Sequence, residues 1–481
     1  MNYTILLPEI VLTSTAMVVI VLDLYLGAGQ KSALGYLSLL GVIGATAAVL
    51  PATGLKGEFW GNMISADAFT QFFKVIFLLV AGLVILSSMS YLEKRKIPAG
   101  EFYTLLVSAT IGMMFMGSSL DLITIYLGLE LTSISSYVLA GLLRNDPRSN
   151  EAAIKYFLNG ALASAILLFG LSILYGLTGT THLADIAAVI TTGGARGGVS
   201  LPLLGAAIAF VLGGFGFKIA AVPFHLWAPD AYEGAPTPVT AFFSAGPKAG
   251  AFAAILRIFL VGLIGAQPQW ALVVAVLSAV SMTVGNLTAL MQTNIKRMMA
   301  YSSIAHVGYM LIGLTVATAA GTWAVMYYLL AYAVMNLGAF AVIIALDAFG
   351  PGDRVRDYAG LGRKAPFLGW ALVFFFVSMI GVPPTGGFMG KFLLFSAAVQ
   401  AGYIWLALFL AVNSAISVGY YYNVVKNMFL VGPGHESAAP VKPALGLYVV
   451  VALALVGTLA LGAYPDPFLK WASAAAVITK F

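Results

Sequence analysis

The sequence predicts an all-α integral membrane protein with about fourteen transmembrane helices. Hydrophobic residues make up 61% of the 481 residues and charged residues only 9%, against about 25% charged residues in soluble domains. Apolar runs of about 20 residues, the length that spans a bilayer as a helix, follow one another with short polar joints. The alternating ten-residue pattern of outer-membrane barrels is absent. Helices satisfy their own backbone hydrogen bonds, so they are the expected spanning element.

Each apolar run is predicted as one helix of a single polytopic domain. The first run lacks a basic leading segment and is interrupted by Glu9, so it is predicted as a retained helix and not a signal peptide. The predicted helices cover about 4–27, 33–51, 67–92, 101–118, 119–142, 153–178, 201–220, 238–263, 270–291, 299–318, 321–348, 367–398, 402–430 and 444–465.

Three segments are predicted to be irregular. Residues 180–200 are rich in Gly and Thr and form an external loop, and residues 221–238 carry four prolines and form a turn with a short helix. Residues 381–387 read GVPPTGG inside an apolar stretch that is too long for one simple helix. Gly213–Gly216 is predicted as another helix break.

The basic residues predict the orientation. With the N-terminus outside, fourteen lie in inside joints, four in outside segments and six within helices, which by the positive-inside rule supports outside N- and C-termini. The inside set is Lys31, Lys94, Arg95, Lys96, Arg144, Arg148, Lys296, Arg297, Arg354, Arg356, Arg363, Lys364, Lys426 and Lys442; the outside set is Lys56, Arg196, Lys470 and Lys480.

A short internal similarity points to a repeat. Residues 213–218 and 386–391 both read GGFxxK, and both lie beside Pro/Gly-rich segments. An odd number of predicted helices between them would give the two copies opposite orientation. Paired broken helices in two halves often mark the central path of a transporter.

Ionisable residues inside predicted helices are the candidate functional residues. Glu130 is the carboxylate nearest the middle of a span, and the basic residues are Lys74, Lys155, Lys218, Lys248, Arg257 and Lys391. Such groups are costly in a bilayer unless paired or hydrated, so each is either a structural ion pair, a snorkelling side chain or part of a proton path. Burial disfavours the charged form of lysine and a nearby carboxylate restores it, which suits stepwise proton transfer.

Two histidines extend this candidate path. The sequence also lacks the motifs of several other kinds of functional site. His225 follows Lys218 by seven residues and His306 lies in the tenth predicted helix; histidine titrates near neutral pH, although a neutral, hydrogen-bonded histidine is an equal alternative. The sequence has no cysteine, which excludes disulfides, attached haem and iron–sulfur ligation. It has no Walker loop, GxGxxG, serine triad or metal-ligand spacing, and no basic patch suited to nucleic acid.

Residues 217–257, FKIAAVPFHLWAPDAYEGAPTPVTAFFSAGPKAGAFAAILR, strongly resemble the antiporter-like membrane subunits of respiratory complex I, and within them the subunit N branch. Further similar segments are LGLELTSISSYVLAGL (127–142), KYFLNGALASAILLFG (155–170), YSSIAHVGYM (301–310) and MGKFLLF (389–395). The resemblance runs over nearly the whole chain. The length leaves no room for the long C-terminal lateral helix of the largest sister subunit.

The resemblance implies fourteen helices with two inverted five-helix repeats, each containing a broken helix. It implies N-terminal helices over 1–98, repeats over 99–263 and 264–430, and a last helix over 431–481. It also implies proton-path roles for six residues, where some sister subunits carry glutamate at the last position: Glu130, Lys155, Lys218, His225, Lys248 and Lys391. His306 joins this candidate path because a histidine can relay protons.

The function implied is outward proton translocation in the bacterial inner membrane, coupled to NADH oxidation and quinone reduction elsewhere in the complex. No cofactor is expected on this chain; NADH, FMN, iron–sulfur clusters and quinone belong to other subunits. The expected partners are sister membrane subunits, lipid and protons, without nucleic acid. The alternatives are a subunit of a multisubunit cation/proton antiporter or membrane-bound hydrogenase, and a structural spacer, which buried lysines disfavour.

Overall fold

The computed structural model describes residues 3–52, 54–55, 57–193, 199–350, 352–432 and 443–476. Its helices are α1 Leu7–Tyr25, α2 Ser32–Val49, α3 Ala68–Arg95, α4 Ala99–Ser118, α5 Leu122–Ala140, α6 Pro147–Thr178, α7 Leu183–Thr192, α8 Leu201–Ile219, α9 Trp227–Gly234, α10 Thr237–Arg257, α11 Gln267–Leu290, α12 Ile295–Val316, α13 Ala319–Leu346, α14 Leu361–Lys364, α15 Pro366–Ile380, α16 Gly386–Gln400, α17 Ile404–Phe429, α18 Leu445–Ala463 and α19 Asp466–Ala475. Strands β1 Gly57–Phe59 and β2 Ile64–Ala66 pair antiparallel.

The number of membrane spans agrees with the sequence. Within the described ranges, thirteen helices are long and apolar enough to cross a bilayer. Helices α15 and α16 are each 15 residues long and follow one another across residues 381–385, so together they supply a fourteenth crossing. The chain is therefore an all-α, multi-pass membrane protein, as predicted.

The two interruptions differ in where they fall. The predicted break within GVPPTGG is confirmed, because α15 ends at Ile380 and α16 begins at Gly386. The predicted break at Gly213–Gly216 is wrong: α8 continues through these glycines to Ile219, and the chain leaves the helix at Ala220, which adopts a left-handed conformation at φ 59°. The short helix predicted after this point is α9.

The glycines of α8 serve close packing. A Cβ on Gly214 would lie 2.4 Å from the Cβ of Leu167 on α6, so glycine lets the two helices approach. The two GGFxxK segments are also not equivalent in position. Lys218 lies in the last turn of α8, before its break, whereas Lys391 lies in α16, after its break. This similarity therefore does not support the predicted repeat.

Three further elements depart from the sequence prediction. Helix α7 occupies part of the segment predicted as an external loop, since its Ile and Leu residues give it an apolar side that packs near residues 258–266. The β1–β2 hairpin and α19 were not predicted, because three-residue strands and a ten-residue helix give only a weak sequence signal.

Three helices form the most enclosed part of the bundle. In the most apolar 18-residue window of the spans Thr237–Gly262 and Ile295–Val316, 94% of the residues are buried, and in that of Ala319–Phe349 all of them are. Helices α1, α17 and α18 lie at the periphery, with fewer than two residues in five buried. Side chains on α10, α12 and α13 are therefore remote from lipid, and two candidate residues, Lys248 and His306, lie on α10 and α12.

Candidate proton path

Lys218 is held at the end of α8 by three hydroxyl groups. Its Nζ lies 2.8 Å from Ser133 Oγ, 3.2 Å from the Tyr137 hydroxyl and 3.2 Å from Ser164 Oγ. The last turn of α8 is fixed by Trp227, whose indole N–H donates to the Phe217 carbonyl oxygen at 2.9 Å. No described carboxylate forms an ion pair with Lys218.

Glu130 lies on the same face of α5 as two of these hydroxyls. Ser133 and Tyr137 follow Glu130 by three and seven residues, a spacing that aligns side chains along a helix. Glu130 and Lys218 do not form the direct ion pair that a simple paired switch requires, because the Lys218 ammonium is bound by hydroxyl groups. Glu130 Oε1 is buried and has no hydrogen-bond partner among the described residues.

Lys155 lies outside the membrane interior. Its side chain is 44% exposed, and its Nζ forms ion pairs with Glu151 at 2.6 Å and Asp230 at 2.7 Å. Asp230, on α9, also accepts from Arg297 at 2.7 Å. The structure therefore places Lys155 in an ion-pair network at the rim where α6 begins, and not beside Lys218. Its neighbour Tyr156 is buried and stacks on Trp227 at 4.2 Å.

A small cavity connects Lys218 with α10. Its walls include Pro247 and Ala251 of α10, and hydroxyl groups from three other residues: Thr132, Ser136 and Tyr156. Lys248 directly follows Pro247. Polar walls of this kind are the environment in which a water can bridge groups inside a protein.

Lys248 and His306 belong to one buried cluster. The Lys248 Nζ donates to Ser303 Oγ, which also accepts from the Tyr332 hydroxyl at 2.8 Å. His306 follows Ser303 by three residues on α12, and its Nδ1 lies 2.6 Å from the Tyr328 hydroxyl. Lys248 is 3% exposed and His306 2%, so lipid does not reach either side chain.

Lys391 is bound at the second break. Its Nζ donates to the carbonyl oxygen of Ile380, the last residue of α15, at 3.0 Å, and to Ser414 Oγ at 2.9 Å. The broken helix thus supplies the free carbonyl that the sequence predicts there. The ammonium also lies 4.4 Å from the centre of the Tyr309 ring, a cation–π distance.

Tyr328 joins the His306 cluster to α16. A Cβ on Gly390 would lie 2.2 Å from the Tyr328 ring, so this glycine allows the tyrosine to lie against the helix turn that carries Lys391.

His225 is the remaining predicted residue. It is 8% exposed, and its Nδ1 has no hydrogen-bond partner in the part of the chain that the structure describes. The structure brings His225 near Tyr301, with ring centres 6.4 Å apart, and not into the His306 cluster.

The other two basic residues within helices are structural ion pairs. Lys74 lies 2.7 Å from Glu9, which is 3% exposed and lies in the first turn of α1. Arg257 binds Asp67 through two hydrogen bonds of 2.8 and 2.9 Å. Burial raises the pKa of Asp67, but the Arg257 guanidinium and its hydrogen bonds lower it to about 2.

The six basic residues therefore fall into two groups. Lys74, Lys155 and Arg257 are paired with carboxylates. Lys218, Lys248 and Lys391 are bound only by hydroxyl and carbonyl oxygens within the described ranges. Sequence reasoning missed the hydroxyl partners Ser133, Tyr137, Ser303, Tyr328 and Ser414. Only the helical spacings Glu130–Ser133–Tyr137 and Ser303–His306 carry a signal that could have found some of them.

Comparison with known proteins gives a consistent assignment. Residues 119–417 match a family described as "NADH:quinone oxidoreductase/Mrp antiporter, TM". The chain is 53% identical to a Symbiobacterium thermophilum protein named "NADH-quinone oxidoreductase subunit N 2", over 99% of this chain and 97% of that protein. The chain belongs to this family of antiporter-like membrane subunits.

Solved structures extend the comparison of this antiporter-like subunit. A chain of the respiratory complex I of Thermus thermophilus with bound aureothin superposes with a TM-score of 0.81 and is 34% identical, with 97% of this chain and 99% of that chain covered. A chain of the Mrp complex of Dietzia sp. DQ12-45-1b has a TM-score of 0.82 at 23% identity, covering 98% and 96%, which shows a shared fold. All seven candidate residues lie within the family match.

Proposed function

We propose that this chain is a proton-translocating membrane subunit of the subunit N type in an NADH–quinone oxidoreductase. The observation that carries the proposal is the set of three lysines, Lys218, Lys248 and Lys391, bound by neutral oxygen atoms inside the bundle. The family and the named relatives support the assignment to this complex. NADH oxidation and quinone reduction would take place on other subunits, with this chain carrying no cofactor.

The path we propose runs from Lys218 through the polar cavity to Lys248, and from there through His306 and Tyr328 to Lys391. Glu130 would set the charge state of Lys218 from a position on α5 that is one helical turn from Ser133, which binds Lys218. Lys155 would act at the rim, where its ion pairs with Glu151 and Asp230 open or close access to the cavity beside Tyr156. His225 would relay protons at the first break. The repeats 99–263 and 264–430 and the bacterial inner membrane location remain part of this proposal.

Lys391→Met tests the path. Methionine keeps an unbranched chain of similar length without a proton-accepting nitrogen. We therefore expect proton pumping and quinone reductase activity of the assembled complex to fall at least about tenfold, since a positioned proton-transfer group typically contributes roughly 100-fold or more. The measurements are acidification of proteoliposomes, NADH–quinone turnover and native-gel assembly. Lys391 would be structural if the assembled variant pumps like the wild type.

The matched control is Glu9→Gln/Lys74→Met, which removes a buried ion pair as a unit and leaves neither charge unpaired. We expect this variant to pump normally once assembled. A loss equal to that of Lys391→Met would mean that removing any buried lysine stops the complex, and the path would lose its support.

A cation/proton antiporter subunit is the second candidate, because the matching family includes Mrp antiporters. The two functions differ in what drives proton movement. Proton pumping that depends on NADH and is independent of sodium would support the oxidoreductase. Sodium-dependent proton exchange without NADH would support the antiporter.

A further inference from the structure

Most basic residues on one rim of the molecule are paired with carboxylates. Lys94 and Arg95 bind Asp347, and Arg144 binds Glu101. Others that are paired there are Lys31, Arg148, Lys155, Lys296 and Arg297. In the described part of the chain, six basic residues of this rim have no carboxylate partner. One is Lys96, which follows α3. The other five, here called the basic patch, are Arg354, Arg356, Arg363, Lys364 and Lys426.

The patch is contiguous because its segments pack together. The turn Val355–Tyr358 and helix α14 both contact the end of α17, and the Gly360 N–H donates to the Asn427 carbonyl oxygen at 3.2 Å. Two carboxylates lie in this segment: Asp353 pairs with Arg148 and Lys296, and Asp357 accepts from the backbone N–H of Arg354 at 3.2 Å. Five positive side chains therefore face solvent together at the rim.

A groove of about 380 Å³ opens within the patch. Its lining includes Arg354, Arg356 and the amide side chains of Gln292, Asn423 and Asn427. This volume is in the range of small-molecule sites. Two guanidinium groups with three amide donors suit the oxygen atoms of a phosphate, which arginine binds in a two-pronged geometry.

An exposed apolar surface continues from the groove toward the middle of the membrane. Helices α11 and α17 meet there, since a Cβ on Gly419 would lie 2.6 Å from the Leu290 side chain. Beside this contact, Leu287 is 48% exposed and Met291 75% exposed on α11, and Tyr422 is 54% exposed on α17. Acyl chains pack on surfaces of this kind.

We propose that the groove binds the phosphate headgroup of an anionic phospholipid, whose acyl chains lie along the α11–α17 surface. The unpaired charges supply the attraction, because each basic residue near a membrane surface favours anionic lipid. The adjoining membrane-facing surface selects a lipid over a water-soluble phosphate. Trp370, which is 63% exposed and lies 5.1 Å from the Phe429 ring, places an aromatic side chain at this level, as is common at membrane interfaces.

The test uses the intact complex in nanodiscs that contain a phosphatidylglycerol with a photoreactive acyl chain. We expect labelling on residues 287–291 and 418–422, and about fivefold less of it for each arginine removed, so about 30-fold less in Arg354→Gln/Arg356→Gln. Both arginines are exposed and unpaired, so each single variant should assemble. The matched controls are Lys96→Gln and Arg144→Gln on the same rim, which should label within twofold of the wild type.

Four results would overturn the proposal. The first is equal labelling of the double variant and the wild type. The second is equal labelling by a phosphatidylcholine probe, because a zwitterionic headgroup gains little from the patch. The third is crosslinking of the groove to a neighbouring protein chain in place of lipid. Displacement of the probe by inorganic phosphate alone would also count against a lipid, since the acyl chains would then contribute nothing.

Discussion

Residues that share a chemical type in this protein differ in the groups that bind them. A carboxylate stabilises only the charged form of lysine, so the ion-paired Lys74 is fixed in one state. A hydroxyl both donates and accepts hydrogen bonds. Ser133 and Ser303 can therefore bind Lys218 and Lys248 with or without the transferred proton. Neutral partners thus suit a lysine that must change its protonation state.

The Glu130–Lys218 interaction can be tested by a double-mutant cycle. The two groups form no direct ion pair, and at an effective dielectric of about 20 two unit charges interact by about 4 kcal/mol at about 4 Å and by less at longer range. We expect Glu130→Ala and Lys218→Ala to reduce proton pumping to a similar degree, with the double variant little worse than either. Glu130→Asp, which keeps the charge, should fall between Glu130→Ala and the wild type.

Ser133→Ala is the matched control for this cycle. It removes a hydrogen bond to Lys218 but no charge, so we expect a smaller loss that adds to that of Glu130→Ala. Pumping rates of assembled complexes are the measurement. Independent losses that multiply in the Glu130→Ala/Lys218→Ala variant would show two separate relays. Full activity in Glu130→Ala would remove any role for this carboxylate.

Hydropathy alone could identify the buried lysines, because a charge inside an apolar run stands out in the sequence. It could not identify their partners. Ser164, Ser303 and Ser414 lie 54, 55 and 23 residues from the lysines that they bind, and serine is ordinary in a membrane helix. Nor could it separate Lys155 from Lys218, since both interrupt apolar runs and only the folded chain places one at the rim.

Elements that carry prolines were predicted better than those that carry glycines. Prolines remove a backbone donor and disturb the preceding turn, so GVPPTGG and residues 221–238 indicate real interruptions. Glycine has two uses in helices: it tolerates breaks and it allows close packing. The sequence of α8 does not distinguish between them, and the structure shows packing against α6.

Two glycines of the same helix test this packing role. A Cβ at Gly214 would lie 2.4 Å from Leu167, whereas a Cβ at Gly205 meets nothing within 4 Å. We expect Gly214→Ala to destabilise the protein by about 1–3 kcal/mol, as overpacking does. Gly205→Ala should be neutral or stabilising by up to about 1 kcal/mol, because alanine favours the helix. Thermal unfolding followed by tryptophan fluorescence is the measurement. Equal effects of the two substitutions would contradict a packing role.

The loops between the helices lie at two opposite ends of the bundle, here called rims. At each rim, loops that are far apart in the sequence contact one another. On one rim, Lys94 and Arg95 bind Asp347, and Asn294 pairs with Arg354 through the backbone. On the other, the β1–β2 hairpin pairs with Ser119, and Asp121 with His182. These long-range contacts place alternate joints on the same rim, as a chain that crosses the membrane back and forth requires. The distribution of basic residues in the sequence predicts the same grouping.

Reporter fusions test which rim faces the cytoplasm. The rim with the basic joints should lie inside, since positive residues are retained on the cytoplasmic side. We expect reporters inserted at Lys96 and Lys364 to give cytoplasmic signals and one at Arg196, which lies outside the described residues, to give a periplasmic signal. Lys96 follows the last residue of α3 and Lys364 ends α14, with eight of the fourteen crossings between them. Because that number is even, their signals must agree. A periplasmic signal at both would invert the orientation, and a periplasmic signal at Lys364 alone would contradict the number of crossings.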